Sequence, residues 1–209
     1  MIIRETGRLR IRGWKHGDRD LFAEINSDPE VMEFFPFRRS RAEADALLDR
    51  IGRGISETGL GFFALALKDT DAPIGFCGLA HTDLEPHLPD GTVEIGWRLA
   101  VPYWGKGYVT EAALTLLDYG FTERKLCEII SFAVPANTRS TAVMKRIGMR
   151  PDPARDFDHP RVPDAHPHLK RHVLYAMTAD EWKRQRAKQD FSRRGHGASA
   201  PRSDSTVFE

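Results

Sequence analysis

The chain has 209 residues, with 31 Lys and Arg against 30 Asp and Glu and a net charge of +1 with histidines neutral. That balance leaves no global basic field and argues against nucleic acid as the main partner, while a hydrophobic content of 41% fits one globular domain with a sizeable core. No run approaches the length of a membrane span, and the opening MIIRETGRLRIRGW carries charges inside its apolar part, so the expectation is a cytoplasmic protein without a signal peptide.

Arg8 to Arg12 alternates charged and apolar residues, as a half-buried strand does. Asp18 to Asn26 reads as a short helix with Leu21, Phe22 and Ile25 on one face. Ser40-Arg41-Ala42-Glu43 is a capping box, heading a helix expected to reach about Ile51 and to end at Gly52 and Gly54. Gly61 to Leu67 and Pro73 to His81 read as strands on either side of the polar turn Lys68-Asp69-Thr70-Asp71, and Asp90-Gly91 turns the chain into a third strand from Thr92 to Ala100. Cys77 and Cys127, the only cysteines, both fall in apolar strand-like runs and are expected to be buried free thiols.

Gly107 to Gly120 is helical, with Val109, Ala113, Leu116 and Leu117 in its apolar stripe, and Glu128 to Val134 is a strand. Asn137 to Ile147 is a further helix, with Gly148 placed to cap its C-terminus. Pro151 to Pro167 is a Pro-, Asp- and His-rich loop, Arg171 to Met177 a last strand, and Thr178-Ala179-Asp180-Glu181 a capping box opening a terminal helix. Residues 190–209 turn to Ser, Gly, Arg and Asp and read as a flexible tail after a single domain spanning 1–189. Strands, then helix, strand, helix and strand make an α+β fold with a mixed sheet.

Gly105-Lys106-Gly107 lies where a strand gives way to a helix. It is not a Walker A loop, because Ala100 stands at the first glycine position and Gly107 follows the lysine. It is not a dinucleotide fingerprint either, because Thr110 occupies the third glycine position. The physical case for an anion site remains: unpaired N–H groups at the helix start, the helix dipole, and glycines that permit close approach. A plain tight turn explains the glycines equally well.

Tyr103-Trp104-Gly105-Lys106-Gly107-Tyr108-Val109-Thr110-Glu111 resembles the coenzyme A pyrophosphate loop of the GNAT N-acyltransferase superfamily, and more closely its RimJ/RimL-like branch of ribosomal-protein N-terminal acetyltransferases. Asn137-Thr138-Arg139-Ser140, followed by Val143 to Met149, resembles the branch's second motif. Arg8 to Arg12, Asp28 to Met32, and Arg171 to Met177 with Trp182 are also similar to the branch, so the resemblance spans about Arg8 to Gln185. In place of the superfamily's usual first and last loop residues stand Trp104 and Val109.

The resemblance implies a GNAT fold: a mixed, mostly antiparallel sheet of six to seven strands, splayed at its centre and flanked by about four helices. It implies acetyl-CoA as co-substrate, an amine acceptor that is either a peptide N-terminus or a small molecule, and no metal. Trp104, Gly105, Lys106, Gly107, Tyr108, Val109, Asn137 and Arg139 would hold the coenzyme, with main-chain donors for the thioester carbonyl around Leu99, Ala100 and Val101. Glu94 would be the general base, or else a strand carboxylate paired with an arginine. Met144 stands where many relatives carry a tyrosine that protonates the thiolate, which leaves Ser140 as the substitute, or as an ordinary helix serine. Phe34 and Phe35 would wall the acceptor pocket with Trp97, or pack in the core. His166, His168 and His172 invite a metal reading, but the segment is proline-rich and His172 falls on the last strand, which favours a solvated loop over a metal site. A non-catalytic acyl-CoA sensor stays open as an alternative, as does a homodimer.

Overall fold

The computed structural model describes residues 1–195, so the last part of the expected tail lies outside the described residues. The elements in chain order begin with β1 (Ile2–Glu5), β2 (Leu9–Arg12), α1 (Arg19–Ser27), α2 (Arg41–Thr58), β3 (Gly61–Leu67), β4 (Pro73–His81) and β5 (Val93–Leu99). They continue with α3 (Tyr108–Thr122), β6 (Glu128–Ala133), α4 (Thr138–Arg146), β7 (Arg150–Pro151), β8 (Phe157–Asp158), β9 (Arg171–Thr178) and α5 (Ala179–Gly195).

Local signals account for most of these bounds. Ser40 accepts the Glu43 amide while the Glu43 side chain reaches back to the Ser40 amide, the reciprocal capping box; Thr178 and Glu181 repeat it at the start of α5. α2 runs on through Gly52 and Gly54 to Thr58, past the stop expected at Ile51. Burial of Leu48 and Ile55 on one face outweighs the intrinsic cost of the two glycines, and Gly59, at φ +73°, makes the left-handed cap instead. α5 continues to Gly195, beyond the expected boundary at Gln189. Cys77 is buried, but Cys127 is exposed just before β6 and corrects the expectation of two buried thiols.

The sheet runs β1-β2-β3-β4-β5-β6-β9-β7, with β8 on β9. Among the described residues, seven of its strands have four or more residues, and five α-helices flank it rather than about four. All pairings are antiparallel except β5 with β6, which share the single registered pair Glu94–Ile130. The two strands therefore diverge at the centre of the sheet. One face packs α3 through Ala112, Ala113, Leu116 and Leu117 against Leu79 and Ile95. On the other face, α1 and α2 enclose Phe22, Ile25, Leu48 and Phe76. Gly78 and Gly96 face each other across β4 and β5, and a Cβ on Gly96 would stand 2.9 Å from the Phe62 ring, so this part of the sheet is surfaced by Phe62.

Candidate active site

Beyond Leu99 the chain makes a short 3-10 turn over Val101–Tyr103, and the Trp104 indole donates back to the Leu99 carbonyl at 2.9 Å. Gly105 and Gly107 then adopt left-handed conformations, φ +69° and +77°. Gly107 is the N-cap of α3 and brings no side-chain acceptor; the first intrahelical bond there is from the Glu111 amide to the Gly107 carbonyl, 3.1 Å. The amides of Tyr108, Val109 and Thr110 therefore have no intrahelical partner, and the positive end of the helix dipole coincides with them.

Arg8, on the β1–β2 turn, clamps this loop. Its Nη1 donates to the Lys106 carbonyl at 2.9 Å, its Nε donates to Glu111 at 2.7 Å, and its guanidinium lies 4.7 Å from the Tyr108 ring. Residues 103 positions apart carry no mutual signal in one sequence, so this contact was not legible there.

The opening between β5 and β6 starts close by. The Ala100 amide donates to the Ile74 carbonyl on the β4 side at 3.1 Å. Main-chain groups alternate in an antiparallel ladder, so those of Ile95, Trp97 and Leu99 face β6. Ser131 Oγ donates to the Ile95 carbonyl at 2.9 Å across the last contact of the two strands. Past it, the Trp97 and Leu99 amides face the gap with no ladder partner on β6. Of the segment expected to supply donors, Leu99 is so placed; Ala100 is buried with its amide spent on β4, and neither Ala100 nor Val101 lines the cleft. The Trp97 amide, by contrast, faces the gap.

Side chains alternate too, putting Glu94, Gly96 and Arg98 on the α1/α2 face and Trp97 on the opposite face against the main core. Trp97 therefore does not join Phe34 and Phe35 in one aromatic pocket. Phe35 instead lies under Arg98, 4.4 Å from its guanidinium, and Phe34 packs beside Val134, Val162 and Leu169. Burial, reinforced by Asp83 and offset by Arg161, pushes the Glu94 carboxyl up to about 7. A carboxylate in that range accepts a proton near neutral pH far better than an exposed one.

Asn137 caps α4, its side-chain oxygen accepting the Ser140 amide at 3.1 Å. Ser140 lines the cleft, while Met144 is 1% exposed and belongs mainly to the core. Arg139 pairs with Glu33 at 2.7 Å and lies 4.5 Å from the Trp104 ring, tying the start of α4 to the loop before α3.

Gly105 to Val109, Trp97, Leu99, Glu94, Asn137, Arg139, Ser140, Phe34 and Phe35 all border a single open cleft of about 1610 Å³. Among the described residues no group of three or more His, Cys, Asp or Glu side chains is arranged to hold a metal ion. His159 and His172 lie 5.0 Å apart at one end of the cleft, packed on Phe132 and Phe157, and burial pushes both imidazoles toward the neutral form.

Residues 8–150 match the family model described as an acetyltransferase (GNAT) domain. The chain is 32% identical to the uncharacterized N-acetyltransferase p20 of Bacillus licheniformis over 73% of its own length and 85% of the relative's. It is 36% identical to the uncharacterized N-acetyltransferase YnaD of Bacillus subtilis over 69% of its length and 81% of the relative's. Among solved structures, a GNAT-family acetyltransferase from Bacillus anthracis superposes with a TM-score of 0.70 at 30% identity, covering 87% of this chain and all of that one. A strand that leaves its neighbour, a glycine loop and an uncapped helix start occur here inside a matching domain, and the chain belongs to the GNAT acetyltransferase family.

Proposed function

We propose that the protein transfers an acetyl group from acetyl-CoA to a primary amine, in the manner of the RimJ/RimL-like branch, by direct attack of the amine on the thioester. One observation carries this reading. The anion-receptive start of α3, the unpaired amides of β5 and the carboxyl of Glu94 all open onto the same cleft.

The amides of Tyr108, Val109 and Thr110 bind the pyrophosphate, with Lys106 and the helix dipole adding charge. The pantetheine arm extends from there into the gap between β5 and β6, where it supplies the ladder partner those strands lack. The Trp97 and Leu99 amides hold the thioester oxygen and stabilise it as it becomes an oxyanion. Glu94 accepts the amine proton, directly or through one water, as the nitrogen attacks the carbonyl carbon. When the tetrahedral adduct collapses, the carbon–sulfur bond breaks, and the Ser140 hydroxyl hydrogen-bonds the departing thiolate. Asn137 holds the first turn of α4, and with it Ser140, at the cleft wall.

The pH dependence follows from Glu94. Its proton affinity is raised, so the base is protonated and inactive below about pH 7 and available above it. With one acceptor held fixed, kcat/KM should climb through neutrality, and the parent chain should lose activity on the acid side more steeply than a Glu94→Gln variant. Identical profiles for the two would place the base elsewhere.

Ser140→Ala should slow the single-turnover step by about two- to tenfold, the worth of one modest hydrogen bond to a soft, diffuse sulfur anion, and leave coenzyme A affinity unchanged. The effect is small because a thiolate is already a tolerable leaving group near neutral pH. A single-turnover rate equal to the parent's would reduce Ser140 to a structural helix residue.

A further inference from the structure

Six arginines line the cleft; Arg146 is exposed and donates to the Thr110 hydroxyl at 3.4 Å, and the other five divide into two groups. Arg8, Arg139 and Arg161 each meet a carboxylate, on Glu111, Glu33 and Asp83. Arg98 and Arg39 have no ion-pair partner among the described residues. The Arg98 guanidinium donates to the neutral side-chain oxygen of Asn26 at 2.6 Å. The Nε of Arg39 is buried with no hydrogen-bond partner at all. Glu43, the acidic residue acting on Arg39, is bonded to Ser40 instead.

The two guanidiniums are nevertheless held in place. Arg98 lies 4.4 Å from the Phe35 ring and Arg39 lies 4.6 Å from the Phe37 ring, and the two rings are 6.3 Å apart. Phe35 and Phe37 are among the few exposed large apolar side chains of the described chain, at 40% and 42%. Asn26, fully buried, links the pair: its side chain takes Arg98, and its main-chain carbonyl accepts the Arg39 amide at 2.9 Å. Burial and the neighbouring Arg39 push Arg98 down to about 9. Two adjacent, partly desolvated cations without a counter-ion are unfavourable, and stacking on aromatic rings leaves most of their fork donors unfilled.

We propose that Arg98 and Arg39 form a carboxylate-binding subsite for the acceptor, so that the protein acts on a primary amine bearing an acidic group. This rests on the acetyltransferase reading for the amine end. Glu94 and Arg98 lie on the same face of β5, four residues and about 13 Å apart along the strand, with reach inward from both side chains. Gly96 between them is covered by the Phe62 ring, so the floor joining the two ends is apolar. The acceptor therefore has its amine at Glu94, a small or apolar spacer over Phe62, and a carboxylate on the order of 10 Å from the nitrogen at the two arginines. A polycationic amine meets two uncompensated positive charges there and is disfavoured.

The test compares acids with their matched neutral amides, in equilibrium binding and in turnover. ω-Aminooctanoate and its amide represent a small molecule; Gly-Gly-Asp and Gly-Gly-Asn, both amidated at the C-terminus, represent a peptide N-terminus. By calorimetry the acid should bind about ten- to a hundredfold tighter than its amide in at least one pair, the worth of charge-assisted hydrogen bonds. The pair with the larger ratio identifies the source. Arg98→Gln and Arg39→Gln should each erase most of that ratio, with circular dichroism and thermal melting of each variant reporting an intact fold. Arg98→Lys, keeping charge but not the fork, should fall between. Equal affinity for acid and amide in both pairs would overturn the proposal, as would a ratio that survives both glutamine variants. Preferential binding of the acid with no thiol release from any acceptor would uphold the subsite and sink the transferase reading instead.

Discussion

Glu94→Gln should lower the rate of acetyl transfer by about a hundredfold or more and leave acetyl-CoA affinity near the parent value. Glutamine keeps the size and one hydrogen-bonding oxygen of the side chain but accepts no proton. Glu94 sits on β5 at the single point where β5 and β6 still pair, so its backbone is fixed from both sides while its carboxyl opens to the cleft. Uncharged glutamine also suits a partly buried position at least as well as carboxylate, and the variant should melt no earlier than the parent. The loss should lie in kcat and kcat/KM together, the signature of an interaction made in the transition state. Full activity across the pH range would assign the proton to another group or to bulk water.

Gly107→Leu should weaken acetyl-CoA binding on the order of a hundredfold or more, equivalent to one or two charge-assisted hydrogen bonds. Two effects combine. At φ +77° a side chain strains the backbone by roughly 1–2 kcal/mol, which favours a shift of the helix start. The isobutyl group would also crowd the place where the anion meets the amides of the first turn. The space itself is open: a Cβ there would find only Arg8, at 3.6 Å. Gly107→Ala therefore isolates the backbone effect, and Gly107→Leu adds the steric one. Both variants should retain the fold, because Gly107 lies outside the buried core. Unchanged affinity in the leucine variant would remove the anion site from α3.

Much of this was legible in the sequence. Strands β3 and β4 follow from alternation and turn residues, and Gly107 and Asn137 stand at the helix starts where glycine and asparagine belong. Each of these signals is local. The parts that escaped depend on partners distant in the chain. Arg8 and Arg39 look like any surface arginines until folding brings Arg8 to Glu111 and leaves Arg39 without a carboxylate. Trp97 looked like an acceptor-pocket residue, because aromatic type alone does not tell which face of β5 it takes; the phase of the ladder with β4 does. The helix extension through Gly52 and Gly54 is the same lesson, since tertiary burial of Ile55 overrode local propensity.

Amine-dependent thiol release from acetyl-CoA tests the central claim most directly. The protein is incubated with acetyl-CoA and a panel of primary amines, including acidic small molecules and peptides with free N-termini, and free coenzyme A thiol is followed alongside the mass of the acceptor. The expected result is thiol release that saturates with acetyl-CoA, matches the acetylated amine formed, and collapses in Glu94→Gln. Tight acetyl-CoA binding with no release above the buffer rate for any amine would contradict the account, and would make the protein a sensor of acyl-CoA built on the acetyltransferase fold.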